Sequence, residues 1–100
     1  MSNEVQNTKT WILKHPVNVM QPPNGYRQVE TVESQSTFDG ARRRAAQLNL
    51  IQREGYGRNR AAHYASKDLF TVIELNERST AMDAVEAFFS NSDVRREVIT

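Results

Sequence analysis

Leu69–Leu75 (LFTVIEL) is the stretch whose chemistry leaves the least choice of structure. It is short, β-branched and aromatic, and almost continuously apolar, as a central strand of a sheet is. A chain of 100 residues buries one core around such a strand and little more, so a single domain spanning 1–100 is expected, with residues 1–7, which are polar, disordered.

The rest of the chain supplies partners for that strand. Thr8–His15 alternates Trp11, Leu13 and His15 against Ile12 and Lys14, and Pro16 ends it. Gln21–Gly25 (QPPNG) is a turn, since Asn-Gly reaches positive φ at little cost. Tyr26–Glu33 (YRQVETVE) then predicts a strand returning antiparallel to the first, with neither face purely apolar. Ser36 or Thr37 caps a helix in which Phe38, Ala41, Ala45, Leu48 and Gln52 share one arc. Leu50 and Ile51 fall off that arc, so the helix turns or ends there, with Gly55 as a natural stop. Residues 57–66 fit either a loop with a helical turn or a strand. Thr80 and Asp83 have capping-box spacing for a second helix, with Met82, Val85, Phe88 and Phe89 as its apolar stripe. Phe88 and Phe89 stand about 100° apart on a helix, so a small core does not easily bury both. One is then a corner residue covered by the C-terminal segment, or a contact to a partner. Val94–Thr100 fits a short helix or a final strand. The fold class expected is α+β: an antiparallel sheet of three or four strands with two helices packed on one face.

Charge is unevenly spread. The net charge is only +1, but residues 40–67 carry Arg42, Arg43, Arg44, Arg53, Arg58, Arg60 and Lys67 against Glu54 alone, a net +6. Residues 1–39 sum to −1 and residues 68–100 to −4. A basic middle between a near-neutral start and an acidic end points to an anionic partner. Arg42 and Arg43 lie on the exposed arc of the first helix, with Arg44 flanking, and Arg53, Arg58 and Arg60 surround Gly55-Tyr56-Gly57. Guanidinium groups bind carboxylates and phosphates bidentately and stack on bases. With Tyr56 and His63 interleaved, the segment suits nucleic acid, an acidic protein surface, or a solvated helix face. The candidate binding residues are Arg42, Arg43, Arg44, Arg53, Tyr56, Arg58, Arg60 and His63.

Several classes lack any signature. There is no cysteine, which excludes disulfides, thiolate catalysis and cysteine-ligated metals and leans towards a reducing cytosol. No apolar run approaches the ~20 residues that span a bilayer, and the N-terminus lacks a signal-peptide apolar region. Gly55-Tyr56-Gly57 matches neither a Walker loop nor a dinucleotide fingerprint. His15 and His63 have no adjacent third ligand, and no serine has an elbow or triad context. Neither an enzyme nor a cofactor or metal is expected. Glu74, inside the apolar strand, needs an arginine partner if buried, and Arg44 or Arg78 could serve.

Tyr26–Ser34 (YRQVETVES), Thr37–Leu48 (TFDGARRRAAQL) and Leu69–Leu75, in that order, resemble the plan of several small phage-encoded host-takeover proteins, among them some anti-CRISPR proteins and inhibitors of bacterial RNA polymerase. The resemblance is one of size and outline and transfers no individual residue. It implies a cytosolic, non-enzymatic inhibitor that occludes a site on a nucleic-acid-processing complex. Many such proteins are acidic and imitate nucleic acid, which this basic middle could not do. Contact with acidic protein surface, or with nucleic acid directly, is the expected alternative.

Overall fold

The computed structural model describes residues 7–16, 29–55, 68–90 and 93–99. Strands β1 (Thr8–Pro16), β2 (Glu30–Gln35), β3 (Asp68–Asn76) and β4 (Arg96–Ile99) form one antiparallel sheet in the order β2-β1-β3-β4. Helix α1 (Phe38–Gly55) links β2 to the segment before β3, and α2 (Ala81–Phe89) lies between β3 and β4. The fold is α+β, as expected from the sequence. The C-terminal segment resolves as a strand. The Gln21–Gly25 turn and residues 57–66 lie outside the described residues, as do residues 1–6. Asn7 is held in place, its carbonyl accepting a hydrogen bond from the Glu77 amide at 3.2 Å.

The helices lie on opposite faces of the sheet, not on one. Successive strand residues point to opposite faces, and here both faces are packed. Ile12, Phe70, Val72 and Ile99 meet Phe38, Ala41 and Ala45 of α1. Leu13 and Ile73 meet Ala84 and Ala87 of α2, with Trp11, Leu75 and Phe88 around them. The two layers follow from the strands themselves. Phe70, Thr71, Val72 and Ile73 are all buried, so β3 hides both of its faces from water and needs a cover on each.

A β-bulge shapes β2. Ile12 pairs with Glu33 and Leu13 pairs with Thr31, so Val32 is an extra residue without a partner across the ladder. The bulge reverses the facing of everything before it. Glu33 points to the α1 side, whereas Thr31 points to the α2 side, where its Oγ1 donates to the Ala81 carbonyl at 3.2 Å. Val29 packs on that side too. Strict alternation would have put Val29, Thr31 and Glu33 on one face.

Helix ends are set locally. Thr37, rather than Ser36, caps α1: its Oγ1 accepts from the Gly40 amide at 3.0 Å. A Cβ on Gly40 would stand 2.9 Å from that oxygen, so glycine keeps the cap undisturbed. At α2 the capping box is complete, Thr80 Oγ1 accepting from the Asp83 amide at 3.2 Å and Asp83 Oδ2 from the Thr80 amide at 2.8 Å. Met82 does not join the buried stripe of α2; it faces solvent. Phe88 packs inward and Phe89 remains 42% exposed, as their angular separation requires.

Candidate interaction surface

Helix α1 sits on the sheet through small residues. Ala41 and Ala45 are fully buried, and alanine lets the helix axis approach β1 and β3 closely. Asn49 completes the buried arc, so the outward face is Asp39, Arg43, Ala46, Gln47, Leu50, Ile51 and Glu54. Close seating also brings the flanks of α1 within reach of both sheet edges. Arg42 Nε meets Glu97 Oε1 of β4 at 3.1 Å. Arg44 Nε meets Glu33 Oε1 of β2 at 3.2 Å, and its Nη1 donates to Gln47 Oε1 at 3.3 Å. Two adjacent-but-one arginines thus strap the helix to opposite edge strands.

Arg43 points away from the sheet. Its side chain is 81% exposed and its Nη2 lies 3.1 Å from Asp39 Oδ2, one helical turn earlier. Arg42 Nη1 also approaches Asp39, at 3.5 Å. Each member of the Arg42–Arg44 run therefore faces a carboxylate of its own chain. Exposed pairs of this kind are worth about 0–1 kcal/mol, so a partner could exchange them, but they cancel much of the local positive field.

Of the eight candidate residues, the structure brings together Arg42, Arg43 and Arg44. Arg53 lies in the last turns of α1. Tyr56, Arg58, Arg60 and His63 lie outside the described residues. Glu74 meets neither Arg44 nor Arg78 as an ion-pair partner: it is only partly buried, and Thr8 Oγ1 donates to its Oε2 at 3.4 Å. Arg44 is taken by Glu33 instead.

Two features of this surface escaped sequence reasoning. Leu50 and Ile51 are 56% and 60% exposed on the outer face of α1. Their departure from the apolar arc suggests that the helix turns or ends there, whereas it runs on to Gly55, the stop the sequence offers. Arg95, at the far end of the chain, places its guanidinium carbon 3.9 Å from the centroid of the Phe38 ring. Beside that contact an open depression of about 590 Å³ is lined by Thr8, Thr37, Asp39, Glu74, Glu77 and Arg95, among others. No histidine lines it among the described residues. Among the described residues no group of three or more histidines and carboxylates could hold a metal ion, and no helix is long and apolar enough to cross a membrane. No family model, curated protein or solved structure matches the chain.

Proposed function

We propose that this chain is a non-enzymatic binding protein that docks on another protein through the outward face of α1 and acts by covering that partner's working surface. The observation that carries this reading is the exposure of Leu50 and Ile51 on the same face as Arg43. Two large aliphatic side chains gain nothing from a phosphate backbone, whereas a protein surface can bury them at about 25 cal/mol per Å². Arg43 then selects a partner with a carboxylate beside its apolar patch, and electrostatics orient the encounter. The outline resemblance to phage-encoded inhibitors supplies the class of partner, a nucleic-acid-processing complex of the host. A chain without cysteine suits the reducing cytosol in which such a complex works.

Direct binding of nucleic acid is the second reading, favoured by the net +6 of residues 40–67. The two separate in one experiment. Tagged wild type, Arg43→Glu and a Leu50→Asp/Ile51→Asp double variant are used to capture partners from host lysate, with and without nuclease. Nuclease-resistant capture that falls at least tenfold in both variants is expected. Capture that disappears with nuclease, together with steep salt dependence in oligonucleotide titrations, would transfer the function to nucleic acid. Capture unchanged in both variants would mean that the outer face of α1 is not the docking surface.

A further inference from the structure

The outer face of α1 carries a pattern that the sheet does not use. Arg43, Gln47, Leu50 and Glu54 are separated by four, three and four positions, the spacing of a seam along which one helix packs on another. At 100° per residue the four lie within an arc of about 60°, opposite the buried arc of Ala41, Ala45 and Asn49. All four are exposed, and Leu50, at 56%, has Ile51, at 60%, on its flank.

The seam is symmetric about the point between Leu48 and Asn49: Gln47 and Leu50 are its inner pair, Arg43 and Glu54 its outer pair. The order of the charges sets the direction in which a copy of this helix could lie against it. A parallel copy would bring Arg43 against Arg43 and Glu54 against Glu54. An antiparallel copy brings Arg43 against Glu54 at one end, Glu54 against Arg43 at the other, and each Leu50 against the Gln47 of its partner. Arg43 and Glu54 stand about 16 Å apart along the axis, so a straight helix closes both ion pairs at once. Arg43 already meets Asp39 at 3.1 Å, but a guanidinium has five N–H donors, and a second carboxylate joins the contact without displacing the first. Gln47 Oε1 accepts from Arg44 Nη1 at 3.3 Å, which engages its amide at the flank of the seam.

We infer that the chain self-associates through α1, two copies packing antiparallel about a twofold axis at the middle of the seam. An isologous interface must match itself, and this face does so in charge. An unrelated helix would need a carboxylate and a cation at the same separation and in reverse order, which this chain's own helix has. The contact is small, with one large apolar side chain per copy on the seam, so the dimer is weak, concentration-dependent and tightest at low salt. The same face is the docking surface of the proposed function. A second copy and a partner protein therefore compete for it, and the dimer holds the docking face covered until a partner draws off the monomer. The dimer itself does not depend on that reading.

Charge exchange, read by sedimentation equilibrium at low ionic strength, tests the inference. Wild type is expected to show reversible dimer rising with concentration. Arg43→Glu places a carboxylate against Glu54 at two symmetric positions, and Glu54→Arg places a guanidinium against Arg43. Each is expected to weaken dimerisation about tenfold or more with the wild-type melting profile kept, since both positions are exposed. An equimolar mixture of the two variants is expected to associate about as tightly as wild type, because every outer pair is then opposite in sign. Wild type that remains monomeric at the highest soluble concentration overturns the inference. So does a mixture that associates no better than either variant alone. Nuclease-resistant capture that depends on Leu50 and Ile51 would survive either of these results, and its loss would leave the sedimentation results untouched, so the two readings fail separately.

Discussion

Thr10 is fully buried in β1, and its Oγ1 has no hydrogen-bond partner among the described residues. A buried hydroxyl left unpaired costs about 1–3 kcal/mol. Valine has nearly the same shape and no hydroxyl, so Thr10→Val is expected to stabilise the protein by about 1 kcal/mol, read as a higher denaturation midpoint at unchanged slope. Side chains whose partners are close in sequence were legible without a structure. Thr80 and Asp83 are three positions apart, and their reciprocal bonds follow from helix geometry alone. Arg44 and Glu33 are not legible in this way. Their pairing depends on where α1 lies across the sheet, and the same placement decides that Glu74 meets a threonine and not an arginine.

At the scale of the element, α2 illustrates how nine residues are made to hold. A helix this short is marginal in isolation. Its first turn is closed by the capping box, and its last carbonyls are met from outside the helix: Arg96 donates through Nη2 to Ala87 O at 3.0 Å and through Nη1 to Phe88 O at 3.3 Å. Thr80→Ala removes the cap oxygen and is expected to lower stability by about 1 kcal/mol in chemical denaturation. Amide exchange is expected to rise first in residues 81–84. The start of α2 was readable because capping is local, but the Arg96 contact was not, because it needs β4 folded back beside the helix. For β2 the existence of a strand was readable and its facing was not. A bulge leaves no mark in the alternation of Val29, Thr31 and Glu33, since it is a property of the pairing with β1.

For the whole molecule the decisive feature is that each face of the sheet carries its own helix. Ile12 and Ile73 are both fully buried, one beneath α1 and the other beneath α2. Ile12→Val and Ile73→Val are each expected to cost about 0.5–1.5 kcal/mol. Their losses should add to within about 0.5 kcal/mol in the double variant, because the two clusters share no side chain. A sheet covered on one face would leave one of the two isoleucines in water, and its substitution would cost almost nothing. The run Leu69–Leu75 already contained this information. A strand with one wet face alternates, and this one does not.

Short-range chemistry accounts for everything that could be read from the chain before it folded. The strands β1 and β3, the capped starts of both helices, the alanine arc of α1 and the α+β class all rest on residues within a few positions of one another. The tertiary structure decided the rest: the face each helix covers, the reversal of β2 at Val32, the straps from Arg42 to Glu97 and from Arg44 to Glu33, and the outward exposure of Leu50 and Ile51. The reason is geometric. Helix and strand periodicity fix which side chains share a face, but which face meets which layer depends on contacts between residues tens of positions apart. The basic run shows this most clearly, because its charge is plain in the sequence, and only the folded sheet brings Glu33 and Glu97 up beside it.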